Sequence, residues 1–273
     1  MVEVLVHFVA PALVGVLIGI ASGLLGIGGG TVMVPIFRLA FGMSATVSTA
    51  TSLFAIIPTS ISGAISHVKG KTCIPALGIA AGLGGACLSP VGVWLAQLSP
   101  DWLVMLAAAL IIGYSAINMF KKAFKLRPAG QPAAGTDAAA PTADDSSLSR
   151  KQLLQGAAIG LVAGLASGYV GVGGGFIMVP LMLSIIGIPM RKASGTSLIA
   201  VMILAIPGVI EQGIIGNINY LAGIAIVIGT IPGAVIGARL VTKVPERTLR
   251  LLFGCFLIVA AVMLVLNEVG IFG

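Results

Sequence analysis

Charge is what this chain has least of. Of 273 residues only 8% are Asp, Glu, Lys or Arg, against about 25% in soluble domains, so the chain holds roughly a third of what a water-facing surface needs. That excludes an ordinary soluble enzyme and a disordered protein. Histidine is also scarce: His7 and His67 stand 60 positions apart with no acidic partner nearby. A hydrolytic or metal centre needs such groups clustered, so no enzyme activity and no metal site are expected. The three cysteines, Cys73, Cys87 and Cys255, form no C-x-x-C pair. They are read as small packing residues rather than as a disulfide framework or redox pair. Lys and Arg outnumber Asp and Glu, 15 to 8. They lie between apolar runs instead of crowding one face, which excludes nucleic acid as a partner and suits membrane topology. The N-terminus has no basic stretch before its first apolar run, so that run is expected to stay as a helix.

What is abundant is apolar surface and glycine. Hydrophobic residues make up 58% of the chain, mean hydropathy is +1.14, and 38 residues are Gly. A bilayer core needs about 20 apolar residues per helix. Eight runs qualify, at 4–25, 46–66, 73–97, 102–120, 153–171, 194–215, 218–240 and 248–267. Two shorter pieces, 31–43 and 176–188, suit broken or re-entrant segments. The expected fold is therefore an all-α polytopic membrane protein. Residues 127–150 are rich in Pro, Ala, Gly and Ser and read as a disordered linker, placed in the cytoplasm. The linker divides a first transmembrane unit, 1–126, from a second, 151–273.

The two units repeat each other. Shifted by 145 positions, Gly23–Pro35 aligns with Gly168–Pro180 and Thr51-Ser52-Leu53 with Thr196-Ser197-Leu198, without a gap. Sixteen of the 45 positions from Gly23 to His67 are identical to their mates. Such a register signals internal duplication. If each unit crosses five times, counting the short piece, 14 of the 15 basic residues fall on one side. The positive-inside rule therefore favours an inverted pair of pseudo-symmetric repeats.

Chemistry is sought at the matched polar and glycine-rich points. Gly26-x-Gly28-Gly29-Gly30 and Gly171-x-Gly173-Gly174-Gly175 lack the last glycine of a dinucleotide fingerprint, and Gly70-Lys71-Thr72 lacks the first glycine of a P-loop. No cofactor and no ATP site follow. Each triplet precedes a proline by five residues and reads as a helix break at membrane depth. A half-helix then starts with free N–H groups that suit an anion. Close packing is the plainer alternative. Thr51/Ser52 and Thr196/Ser197 are expected either to cap the next helix or to give hydroxyl donors to an oxyanion. Arg38, the one basic residue outside the pattern, either snorkels outward or attracts anions. His67 pairs with Gln212 under the shift; His67 is read as a solvated loop residue or a carrier of a coupling proton.

The doubled Gly-x-Gly-Gly-Gly-x-x-x-Val-Pro motif, the Thr-Ser-Leu element and the polar linker resemble the sulfite exporter TauE/SafE family. The resemblance implies a multi-pass permease of the cytoplasmic membrane for sulfite or an organosulfonate such as sulfoacetate, working without ATP. It implies a substrate region at Gly28, Gly29, Gly30, Thr51, Ser52, Gly173, Gly174, Gly175, Thr196 and Ser197. An anion channel, or a permease for another small organic anion, is the alternative. The expected partners are the small anion and the bilayer, and a homo-oligomer is compatible with the sequence. Access is expected to alternate as the two halves rock.

Overall fold

The computed structural model describes residues 10–125 and 149–268. In chain order the helices are α1 Ala10–Leu25, α2 Gly30–Phe41, α3 Ala45–Lys69, α4 Pro75–Leu98 and α5 Asp101–Lys125. They continue with α6 Arg150–Val170, α7 Gly175–Leu181, α8 Met190–Ile215, α9 Tyr220–Leu240 and α10 Glu246–Glu268. A π-helical turn, Met182–Ile186, prolongs α7. Among the described residues there is no strand. Seven helices, α3 to α6 and α8 to α10, are long and apolar enough to cross a bilayer. The protein is a multi-pass membrane protein. Nearly all of the proposed linker lies outside the described residues. Its last two positions are helical in role: Ser149 caps α6 in a capping box with Gln152, and Arg150 begins the helix.

Helix starts depart from the expected pattern in one respect. The cap of α3 is Ser44, whose Oγ accepts from the Val47 N–H at 3.3 Å, and α8 starts after Pro189. Thr51/Ser52 and Thr196/Ser197 therefore sit inside their helices and cap neither. The unlike mates Ala50 and Gly195 are helical too.

Glycine sets the packing. Along α4 and α6, Leu77 faces Gly156, Ala81 faces Gly160, Gly85 faces Gly164 and Ser89 faces Gly168. Both numbers rise together, so the helices run parallel. At Gly160 a Cβ would overlap the Ala81 carbonyl, so only glycine allows the backbones to come this close. The same stagger recurs between α1 and α9, where Gly15 faces Ile226, Gly19 faces Thr230 and Gly23 faces Ala234. Every contact in this second set is the 145-residue mate of one in the first.

Other contacts give each helix a direction. Thr51 meets Asn219 and Thr59 meets Thr230, so α3 runs parallel to α9. Gly78 meets Ile199 and Gly82 meets Ile203, so α8 runs parallel to α4. His67 faces Gly195 whereas Leu53 faces Gly208, so α3 and α8 are antiparallel. It follows that α4, α6 and α8 start at one end of the bundle, and α1, α3 and α9 at the other. The first end carries Lys69, Lys71, Arg150, Lys151, Arg191 and Lys192. The end of α5 brings Lys121 and Lys122 to the same boundary, the end of α9 brings Arg239 with Lys243 just after it, and the start of α10 brings Arg247 and Arg250. Asp101 and Glu211 lie at the opposite end.

The two sequence halves are folded into one another. The most extensive helix contacts, α4 with α6 and α1 with α9, both run between halves. Rocking of one half against the other would have to part these glycine-lined faces.

Candidate functional site

Two interruptions of the backbone meet in the middle of this bundle. After α1 the chain turns through Gly26, Gly28 and Gly29 at φ of 74°, 81° and 84°, and after α6 through Gly171, Gly173 and Gly174 at 72°, 87° and 67°. These left-handed values are costly for residues with a Cβ, which explains glycine at the paired positions Gly28/Gly29 and Gly173/Gly174. Gly30 and Gly175 serve a different need. A Cβ on Gly30 would lie 2.5 Å from the Val172 carbonyl oxygen, and one on Gly175 would overlap the Gly26 carbonyl. The triplets thus touch across the two halves.

Each break opens a short helix whose first N–H groups receive no side-chain cap, since Gly29 and Gly174 are the N-caps of α2 and α7. The buried hydroxyls of Ser22, Thr31, Ser52, Ser60 and Ser167 make no hydrogen bond to the protein. All five residues are fully buried. Ser22 Cβ lies 3.7 Å from where a Gly29 Cβ would stand, Ser167 Cβ 3.4 Å from the Gly174 position, and Ser60 Oγ 3.5 Å from the Gly28 position. A buried hydroxyl without a partner is costly, of order 1–3 kcal/mol, so a cluster of them beside uncapped N–H groups is equipped for an oxygen-rich guest. Ile56 lies between the breaks, its Cδ1 2.6 Å from the Gly30 Cβ position and 2.8 Å from that of Gly173. Any guest reaching both breaks has to displace it.

The sequence-derived residues divide into groups. The two triplets come together, and Ser197 joins them by donating to the Gly26 carbonyl at 2.7 Å, sharing its proton with the Ser194 carbonyl at 2.8 Å. Ser52 is buried and unpartnered. Thr51 and Thr196 have a structural duty. Thr51 Oγ1 accepts from the Asn219 N–H at 3.0 Å and Thr196 Oγ1 from the Ile74 N–H at 2.9 Å. Asn219 and Ile74 are the N-caps of α9 and α4, so each threonine secures the start of a helix belonging to the other half.

His67 is no solvated loop residue. It is completely buried near the end of α3. Its Nε2 lies 2.7 Å from the Gly23 carbonyl oxygen and its Nδ1 2.7 Å from Thr72 Oγ1. A carbonyl only accepts, so Nε2 carries a proton; Thr72 Oγ1, which meets Nδ1, also donates to the His67 carbonyl oxygen at 3.3 Å. A Cβ on Gly195 would stand 2.8 Å from the His67 ring, which explains glycine there. Gln212 is also buried, at the opposite end, and accepts from Asn217 Nδ2 at 2.8 Å. Arg38 occupies the last turn of α2, where a cation suits the helix dipole. Neither Arg38 nor Gln212 is brought to the breaks.

Ser22, Thr31, Ser60 and Ser167 escaped the sequence reading. Two of them carried a signal: Ala21-Ser22-Gly23 and Ala166-Ser167-Gly168 are identical under the same shift. Among the described residues no group of three or more His, Cys, Asp or Glu could hold a metal ion.

The comparisons with known proteins agree with this architecture. The family model for the sulfite exporter TauE/SafE matches residues 11–264. The chain is 28% identical over 280 residues to "Probable membrane transporter protein YunE" of Bacillus subtilis, covering 97% of this chain and 99% of that one. It is 28% identical over 275 residues to a "Probable membrane transporter protein" of Haemophilus influenzae, covering 93% and 97%. A transporter of the same description from Methanocaldococcus jannaschii is 34% identical over 110 residues, 38% of this chain and 41% of that one. No solved structure matches. The chain belongs to the sulfite exporter TauE/SafE family of membrane transporters.

Proposed function

We propose that the protein is a secondary permease that carries a small sulfur-containing oxyanion, sulfite or an organosulfonate such as sulfoacetate, across the cytoplasmic membrane by alternating access. The observation that carries this reading is the meeting of two uncapped helix starts among buried hydroxyls without partners. Neutral donors hold an oxyanion without the cost of burying a fixed cation. Ser22, Thr31, Ser52, Ser60 and Ser167, with the backbone N–H groups of Gly30, Thr31 and Phe176, are the donors; the Gly175 N–H is already held by the Gly173 carbonyl at 2.8 Å. An inverted duplication belongs to the same reading. It is supported by α1 and α6 starting from opposite ends and by contacts that recur at a shift of 145. The end rich in Lys and Arg is then cytoplasmic.

Because Ser52 and Ser60 make no hydrogen bond to the protein, their replacement by Ala relieves an unpaired buried hydroxyl, so stability holds or rises while donors are lost to the guest alone. Each loss weakens binding about 5- to 10-fold, since a hydrogen bond contributes roughly 1 kcal/mol. Calorimetry of purified wild type, Ser52→Ala and Ser60→Ala against sulfite, sulfoacetate and acetate tests the reading. Unchanged sulfite and sulfoacetate affinity in both variants refutes it. Counterflow in vesicles separates carrier from channel.

A further inference from the structure

A cavity of about 590 Å³ lies between α5, α6 and α7. Its size suits a small-molecule or lipid site, and its mouth faces the surface that meets lipid: Tyr114 is 69% and Val162 56% exposed. The lining changes character along α5. Ile111 is its apolar end, and Tyr114, Ser115, Asn118 and Lys122 follow toward the basic end of the bundle. Eleven residues of helix separate Ile111 from Lys122, about 16 Å. Leu165 and Ile177 continue the apolar part, and Ser184 closes the polar one.

Lys122 is the informative group. It stands in the last turn of a membrane-spanning helix, at the basic boundary where a lysine meets the headgroups of anionic lipids. Its Nζ donates to the Pro180 carbonyl at 3.0 Å and to Ser184 Oγ. Among the described residues it has no carboxylate partner. An ammonium has three donors, so one remains for a guest. Arg250, itself paired with Glu246, adds its field at the same place. The mates of Lys122 and Ser184 under the 145 shift are Asn267 and Leu39. The cation has no counterpart in the other half, so it does not serve the shared scaffold.

We infer that this cavity binds an anionic phospholipid from the leaflet at the basic end, its phosphate on Lys122 and one acyl chain along Ile111, Leu165 and Ile177. The Lys122 ammonium is held for it by the Pro180 carbonyl and by Ser184 Oγ, itself a donor to that carbonyl at 2.6 Å. Charge complementarity at one end and an apolar body open to the bilayer select this occupant. Ser184 lies in the π-helical turn that prolongs α7. The lipid therefore braces the short helix that starts at the glycine break, and the binding itself does not depend on which anion is carried.

The test uses the full-length protein, delipidated in an uncharged detergent, with unfolding temperature followed as lipid is added. Phosphatidylglycerol raises the unfolding temperature by several degrees in wild type, and phosphatidylcholine does not. Lys122→Met weakens the apparent affinity for phosphatidylglycerol about fivefold. Val162→Trp, which narrows the mouth and keeps Lys122, removes the preference as well, and it decides the matter should Lys122→Met fail to fold. Equal shifts from both lipids, or an undiminished preference in Val162→Trp, overturn the inference. So does inorganic phosphate alone giving the full shift, which would make the cavity a small-anion pocket.

Discussion

Adding one methyl group at Gly30 tests whether the two breaks depend on each other. The Cβ of Gly30→Ala would stand 2.5 Å from the Val172 carbonyl oxygen, 2.7 Å from its carbon and 2.6 Å from Ile56 Cδ1. Carbon and oxygen normally approach no closer than about 3.3 Å, so the breaks must separate by about 0.8 Å. Two of the three obstacles are backbone, which cannot rotate away as a side chain can. Overpacking of this kind costs about 1–3 kcal/mol. For a chain of this size that is a fall of about 2–12 °C in unfolding temperature. Gly113→Ala is the internal control. Nothing lies within 4 Å of its Cβ position and the residue is helical, so Ala stabilises by about 1 kcal/mol through helix propensity. Thermal unfolding in detergent gives the first readout, and uptake of labelled sulfite into vesicles gives the second. Gly30→Ala should lose transport along with stability, and Gly113→Ala should keep both. If Gly30→Ala unfolds at the wild-type temperature and transports normally, the contact between the breaks is not what holds the centre together.

Three further outcomes follow from the hydrogen bonds and the helix directions. Thr196→Val strands the buried N–H of Ile74, and thermal unfolding should register a loss of about 1–3 kcal/mol, whereas Thr196→Ser restores the acceptor and the stability; Thr51→Val should cost less, because Asn219 is exposed. His67→Ala should cost about as much as Thr196→Val by leaving the Gly23 carbonyl without its donor; wild-type stability in that variant would contradict the buried geometry. In a background without Cys87 and Cys255, single cysteines at Ser44 and Lys151 should react with an impermeant thiol reagent from opposite faces of the membrane. Labelling from the same face would reject the assigned helix directions.

Much of the architecture was legible because it depends on local composition. Seven of the eight long apolar runs are helices long enough to cross a bilayer, the first run is described only from Ala10 as a 16-residue helix, and the two short runs became α2 and the α7 segment after the glycine triplets. The sorting of basic residues was legible for the same reason, since it depends only on where runs begin and end. The roles of Thr51, Thr196 and His67 were not, because each is fixed by a partner far away in the chain. Thr51 bonds to Asn219, Thr196 to Ile74 and His67 to Gly23. No local rule reveals that a threonine one turn into a helix serves the start of another. Ser60 was hidden for a related reason: its importance lies in having no partner, which only the completed packing discloses.

The close parallel seating of α1 on α9 has a consequence for how the protein is made. Tyr220 follows Ala10 by 210 residues, and synthesis runs at roughly 5–20 residues per second. For about 10–40 s, then, α1 stands in the membrane with Gly15, Gly19 and Gly23 uncovered, and its eventual partner does not yet exist. During that interval its bare glycine face is open to any other helix with small residues. Assembly of this transporter is thus a contest between completing its own chain and joining a neighbour's, and the outcome depends on how crowded the insertion site is.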